Sequence, residues 1–277
     1  MLQGESEMEV LGVVAGVGAE SKAWLWYSGW VRGNLMKPIH TLAETKTPDG
    51  AAMLLQERDG EHFISVNGQP LMSTRATGSE GKMAELGCRP GHRASARVLI
   101  GGLGFGFTLK RVLEVVGPEA VVHVAELMPE VVAWNRELLG EVNGKLLGDK
   151  RVEVFTEDVY RVLERACGGG AKYDAILLDV DNGPVAMVHG GNDRLYGGAG
   201  LGVVAGAMAE QARAVFWSAA MDRAFEGRLK RAGFSAEAVG AKAYPQAKRF
   251  SHTLYVASAG RRGGGSRAGV RGRPRKK

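Results

Sequence analysis

Residues 96–102 (ARVLIGG), 121–126 (VVHVAE), 151–158 (RVEVFTED) and 173–179 (YDAILLD) are four short apolar runs, each closing on glycine or an acid and each followed by a stretch with helical content. Strand-sized runs that are apolar on both faces belong in a parallel sheet covered by helices. The repeat therefore predicts an α/β, doubly wound, Rossmann-like domain over residues 95–258. Residues 214–220 (AVFWSAA) supply a fifth strand. Residues 233–244 (GFSAEAVGAKAY) and 249–258 (RFSHTLYVAS) follow as neighbouring strands with no helix between them, which predicts a terminal antiparallel hairpin.

Upstream of this repeat the pattern changes. Residues 51–73 (AAMLLQERDGEHFISVNGQPLMS) contain two turn signals, Asp59-Gly60 and Asn67-Gly68, between short strand-like runs. A small antiparallel β domain over 41–77 is expected, followed by a connecting segment, 78–94, that begins with a helix at 78–88 (GSEGKMAELGC). Residues 1–40 are read as a loosely ordered extension, with Met36 as an alternative beginning. Its apolar run at 10–19 (VLGVVAGVGA) resembles a signal-peptide core, but Glu5, Glu7 and Glu9 stand where positive charge belongs. Trp24, Trp26, Tyr27 and Trp30 follow it as a possible surface patch.

The 277 residues carry 36 Lys and Arg against 30 Asp and Glu, a formal net charge of +6. That charge is unevenly spread. The segment 260–277 holds eight basic residues and no acid, which leaves the preceding 259 residues at −2. Rich in Gly and Arg and poor in large apolar side chains, residues 259–277 are read as a disordered basic tail. Within it, Arg271-Gly272-Arg273-Pro274 resembles an AT-hook core, whose arginines are drawn into a narrow minor groove; a weak nucleic-acid contact is expected there. Two cysteines, Cys88 and Cys167, exclude a disulfide framework and are compatible with a reducing, cytoplasmic setting. No apolar run approaches the ~20 residues needed to span a bilayer.

Open α/β sheets bind ligands at the carboxyl ends of their strands, so the four run endings are the places to look for chemistry. The first, Gly101-Gly102-Leu103-Gly104-Phe105-Gly106, lets backbone approach a ligand closely, but its spacing disfavours a phosphate cradle. Glu126, about twenty residues on, suits ribose hydroxyls or, alternatively, a helix cap. Glu157 and Asp158 close the third run, where a carboxylate accepts from an adenine amino group or caps the helix at 159–166. Asp179 and Asp181 lie beside Asn182-Gly183-Pro184, poor structural choices and good catalytic ones. Residues 190–200 (GGNDRLYGGAG) form a Gly-rich loop whose Asn192, Asp193 and Tyr196 either cover a pocket or lie on a plain surface. His189 and His252 are isolated and read as structural; no metal-ligand spacing occurs, so no metal is expected.

The glycine loop, Glu126, Asp158 and the motif at 173–184 (YDAILLDVDNGP), preceded by 66–80 (VNGQPLMSTRATGSE), resemble the spermidine synthase family of polyamine aminopropyltransferases. The likeness covers roughly residues 45–258. It implies the class I S-adenosylmethionine-dependent methyltransferase fold and a homo-oligomer. It also implies decarboxylated S-adenosylmethionine, or the intact compound, as co-substrate, with Gly101, Gly102, Gly104, Gly106, Glu126, Glu157 and Asp158 around it. By the same resemblance Asp179 helps to deprotonate an attacking amine such as a polyamine, and Glu80 sits close to a residue of the family's amine site; Asp181 is read from its charge as an orienting or substrate-binding acid, and Asp193 and Tyr196 as substrate-binding residues of the Gly-rich loop. The chain departs from the family at Gly104, which stands where the family loop carries aspartate, and at the spacing of Asp181 before Pro184.

An amine has a pKa near ~10, so a neighbouring carboxylate must both attract the cation and take its proton. The expected activity is transfer of an aminopropyl or methyl group to an amine. The alternatives are a methyltransferase acting on an unrelated small molecule, or a non-catalytic nucleoside-binding scaffold whose basic tail binds DNA.

Overall fold

The computed structural model describes residues 37–88, 94–180, 193–244 and 246–259. The signal-like run, the tryptophan-rich segment, Asp181, His189, Asn192, Arg271 and Arg273 lie outside the described residues.

Two left-handed turns shape the first sheet. Strands β1 (His40–Lys46), β2 (Ala52–Arg58), β3 (Glu61–Val66) and β4 (Gln69–Ser73) form an antiparallel meander in sequence order. Asp59 and Gly60 adopt φ of 56° and 78°, and Asn67 and Gly68 adopt 47° and 75°, the conformations that favour Asn, Asp and Gly in two-residue hairpins. Strand alternation then turns Met53, Leu55, Ile64 and Val66 to the buried face. Helix α1 (Gly78–Gly87) follows and lies directly against the second sheet: a side chain on Gly87 would come within 2.3 Å of the Leu177 side chain.

The second sheet is built from β5 (Arg97–Gly101), β6 (Val121–Ala125), β7 (Val152–Phe155), β8 (Tyr173–Leu178), β9 (Met208–Ser218), β10 (Phe234–Ala241) and β11 (His252–Ala259). Its connecting helices are α2 (Phe107–Val115), α3 (Pro129–Glu137), α4 (Gly140–Asn143), α5 (Val159–Cys167), α6 (Asp193–Tyr196), α7 (Gly198–Ala207) and α8 (Arg223–Arg231). The spatial order is β10-β11-β9-β8-β5-β6-β7. Strands β5 to β9 run parallel, and β11 is antiparallel to both β9 and β10, so the expected terminal hairpin is present.

Period-2 alternation explains why the sheet strands are apolar throughout. Val98, Ile100, Val122, Val124, Ala175 and Leu177 enter one core with α1, α2 and α3. Their neighbours Leu99, Ile176 and Leu178 enter a second core on the opposite face with α5, α7 and α8. The chain order reverses between β5 and β8, which are adjacent, and a crevice opens there at the strands' carboxyl ends. The inner face of the first sheet closes over that crevice, with Met53, Ile64, Leu71 and Met72 reaching it.

One expectation is corrected. From Asp193 the segment read as a Gly-rich loop is helical, as α6 and then α7, and Tyr196 is packed against Phe216 and Phe225 in the core. Glycine here serves close packing rather than looseness. A Cβ on Gly200 would stand 2.1 Å from the Arg194 carbonyl oxygen, and one on Gly206 would stand 2.3 Å from the Cys167 Sγ on α5. No helix among the described residues is long and apolar enough to cross a membrane.

Gly206→Ala should therefore destabilise the fold by about 1–3 kcal/mol through overpacking, although alanine is the better helix former. Cys167→Ala in the same chain should recover most of the loss. Urea unfolding followed by circular dichroism reads both; equal stability of Gly206→Ala and the parent chain would contradict the α5–α7 packing.

Candidate active site

The crevice begins with backbone hydrogen bonds that tie the end of β5 to both of its neighbours, β8 and β6. The Asp179 amide donates to the Gly101 carbonyl at 2.9 Å, and the Gly102 amide donates to Ala125 at 2.9 Å. Gly102 has φ of 90°, and a Cβ there would lie 2.1 Å from the Asp179 carbonyl oxygen. Only glycine fits. Gly101 is buried at the end of β5, while Gly106 sits in a left-handed conformation as the N-cap of α2.

Glu126 is buried at the end of β6 and held from both sides. Its Oε2 accepts from the Leu103 amide at 2.8 Å and its Oε1 from the Met128 amide at 2.8 Å. Burial pushes its carboxyl above the ordinary range, against the opposing pull of those amides. A carboxylate offers about four lone-pair sites, so each oxygen keeps capacity for a ligand hydroxyl. Asp158 caps a helix and also faces the cavity. Its Oδ1 caps α5 by accepting from the Tyr160 amide at 2.8 Å, while the residue also lines the cavity. Its Oδ2 pairs with Arg194, whose guanidinium lies 4.4 Å over the Tyr160 ring. Glu157 turns away: it pairs with Arg165, which holds its carboxyl below the ordinary range, and it does not line the cavity.

Two adjoining cavities meet at Asp179. One, of about 730 Å³, is lined by Gly102, Gly104, Glu126, Asp158 and Asp179 under the apolar roof of the first sheet. The other, of about 740 Å³, shares Gly102, Gly104 and Asp179 and continues to Glu80, Thr108, Trp217 and His252. Asp179 is pushed up to about 7, by burial first and by the neighbouring Glu80 charge second, with the Thr108 hydroxyl at 3.4 Å opposing. Burial also raises Glu80, opposed by the Ser79 hydroxyl that donates to it at 2.8 Å. Two carboxyls that repel one another in a dry cavity attract a cation strongly.

Gly102, Gly104, Glu126, Asp158, Asp179 and Glu80 are thus brought to one connected space. Glu157 and Tyr196 stand outside it, and Asp193 opens α6. Thr108, Trp217, His252 and Met72 line the space without having been singled out as binding residues. Trp217 ends a strand adjacent to β8, so the strand-end rule that found Asp179 also applies to it; Met72 and His252 carry no such local signal. Among the described residues, no group of three His, Cys, Asp or Glu side chains is arranged to hold a metal ion.

No protein-family model matches the chain. It is 32% identical over 130 residues to a polyamine aminopropyltransferase of Corynebacterium efficiens, covering 46% of this chain and 24% of that protein. It is 34% identical over 89 residues to a polyamine aminopropyltransferase of Pyrobaculum neutrophilum, covering 32% of this chain and 30% of that protein. The chain thus matches between about a quarter and a third of the length of these curated relatives. A probable spermidine synthase structure from Corynebacterium glutamicum superposes with TM-score 0.57 at 16% identity, covering 78% of this chain and 79% of that one. Human methyltransferase-like protein 13 in complex with SAH gives TM-score 0.51 at 17% identity, covering 67% of this chain and 81% of that one. The strand order and the terminal hairpin are those of the fold these solved structures share, and parts of the chain are similar in sequence to the two polyamine aminopropyltransferases.

Proposed function

We propose that the chain transfers an aminopropyl group from decarboxylated S-adenosylmethionine to an amine acceptor, with the nucleoside in the first cavity and the amine in the second. The observation that carries this reading is the buried Asp179 carboxyl at the wall both cavities share. The relatives named polyamine aminopropyltransferase support the reaction class, and the SAH complex of the methyltransferase neighbour supports a nucleoside of this type.

The residues fit such a nucleoside. Gly102, where no side chain fits, allows its close approach, and Glu126 keeps lone pairs for ribose hydroxyls. Asp158 stands at the adenine end, with Arg194 fixing its second oxygen. When bound, the donor supplies a carbon made electrophilic by a sulfonium; the C–S bond breaks as the N–C bond forms, and the electron pair stays on sulfur. Asp179 attracts the ammonium and takes the proton that the nitrogen must shed before attack. Glu80 keeps the Asp179 carboxyl basic through repulsion, and Thr108 orients it. The apolar roof of Met53, Ile64, Leu71 and Met72 keeps water from the reacting centre.

Methyl transfer from intact S-adenosylmethionine is a second reading, favoured by one observation. Gly104 adds no second carboxylate beside Asp179 at the junction, where it would further repel the donor's own carboxylate. Titration calorimetry with the two donors separates the readings: tighter binding of the decarboxylated compound supports aminopropyl transfer, and tighter binding of the intact one supports methylation.

Glu126→Gln should weaken methylthioadenosine binding by about 10- to 100-fold, the worth of hydrogen bonds to a charged group. Unchanged affinity would remove Glu126 from the nucleoside site.

Asp179→Asn should lower kcat by at least about 100-fold, the usual contribution of a positioned base. In the parent chain kcat/KM should fall as pH drops below about 7, because protonation removes the base. Glu80→Gln should move that fall to lower pH, since its charge raises Asp179. A limb that stays in place would show that the two carboxyls do not interact.

Stability runs the other way. The folded-state pKa of Asp179 lies above the ordinary value of about 4, so the unfolded chain loses this proton first and stability declines as pH rises from about 4 to about 7. Asp179→Asn should accordingly raise Tm at pH 8, with the gain shrinking toward pH 4; an equal or lower Tm at pH 8 would contradict a strained buried carboxylate.

A further inference from the structure

We infer that Asn135 and Asn143 are positioning residues for the donor: they hold the glycine turn after β5 in the shape that receives the nucleoside, and the inference rests on the assignment of the first cavity to that nucleoside. The turn is costly to keep in one conformation. Gly102, Gly104 and Gly106 adopt φ of 90°, 50° and 82°, and glycine loses more freedom on ordering than any other residue. Within the turn, the Gly106 amide donates to the Leu103 carbonyl at 2.8 Å. The Gly104 and Phe105 carbonyls take their hydrogen bonds from elsewhere in the fold.

Two asparagines, each only 2% exposed, supply them. Asn135 on α3 donates from Nδ2 to the Gly104 carbonyl at 2.8 Å and to the Val131 carbonyl of its own helix at 2.9 Å. Asn143 on α4 donates from Nδ2 to the Phe105 carbonyl at 3.3 Å and to Asn135 Oδ1 at 2.7 Å. Its own Oδ1 accepts from the Lys145 amide at 3.2 Å. Both hydrogens of each side-chain amide are used and each oxygen has a partner, so the pair forms a complete network, which fixes geometry as a half-satisfied one does not. The fit is close: a Cβ on Gly106 would lie 3.4 Å from Asn135 Oδ1 and 3.5 Å from Asn143 Nδ2. Glu126 holds the same turn by its amide, accepting from Leu103 at 2.8 Å. The segment after β6 thus grips the turn by two carbonyls and one amide. Glu126 also lines the first cavity, whereas neither asparagine lines either cavity, so the asparagines act on a ligand through the backbone of the turn. Without them two buried carbonyls lose their partners, the turn samples other shapes, and nucleoside affinity falls with the fraction of molecules that keep the receptive one.

The test uses the full chain with Asn135→Leu, which keeps the branched shape but donates nothing, and with Asn143→Ala, which spares the Asn135 bond to Gly104. Hydrogen–deuterium exchange over residues 102–107 is followed by mass spectrometry in the ligand-free chain. Methylthioadenosine is then titrated calorimetrically at a temperature where circular dichroism shows each variant folded. In Asn135→Leu the turn should exchange at least about tenfold faster while β6 and β8 keep parental protection, and methylthioadenosine should bind at least about tenfold more weakly. Saturating methylthioadenosine should return the turn to the parental exchange rate. Asn143→Ala should move both readouts the same way by at least about threefold, and it carries the test alone if the leucine variant does not fold. Parental exchange or parental affinity in the variants overturns the proposal, as does faster exchange spread equally over β6 and β8, the mark of general destabilisation. If the parent chain itself binds no methylthioadenosine, the nucleoside assignment fails and takes the proposal with it; binding by the parent with unchanged affinity in the variants overturns the proposal alone.

Discussion

The adjacency of β5 and β8 organises the molecule. Because chain order reverses between them, the turns leaving these strands diverge and a crevice opens where they part. Two backbone hydrogen bonds, from Asp179 to Gly101 and from Gly102 to Ala125, then bring the glycine turn and three strand endings to one edge. The β6–β7 pairing extends the same edge to Asp158. Glu126 follows β6, Asp158 follows β7 and Asp179 follows β8, and the parallel registers set their relative heights.

The electrostatic consequences follow from what covers the crevice. Met53, Ile64, Leu71 and Met72 from the first sheet exclude water, so the Glu126 and Asp179 carboxyls beneath are desolvated and their acidity falls, while Asp158 stands at the same edge. The three are compensated differently. Glu126 receives backbone amides, Asp158 receives Arg194 and a helix N-terminus, and Asp179 receives only a long Thr108 contact while facing Glu80. The least compensated group is the one at the junction of the two cavities. A carboxyl left in this condition costs the fold stability and gains basicity near neutral pH, the usual exchange at a reactive site.

Much of this architecture could be read from local patterns. Four apolar runs of strand length, each ended by glycine or acid, specify parallel strands because only a sheet buried on both faces accommodates them. Asp59-Gly60 and Asn67-Gly68 mark hairpins because few other residues adopt positive φ cheaply. The glycines of α6 and α7 misled for an equally physical reason. Propensity reads glycine as a helix breaker, yet Gly200 and Gly206 serve contacts of helix on helix that a local window does not contain. Glu157 and Asp158 are neighbours of the same chemical type, and only side-chain direction separates the one that pairs with Arg165 from the one that faces the cavity.

Sequence by itself determined the strand repeat, the turns, the glycine bend and the acids at the strand ends, since all depend on residue type and spacing along the chain. Tertiary structure alone decided that Glu80 faces Asp179, that Met72 fills the space beside Gly104, and that Trp217 and His252 share a wall with both. Those relations join residues dozens of positions apart. Burial, charge repulsion and cavity shape act through distance in space, which the linear order of residues does not encode.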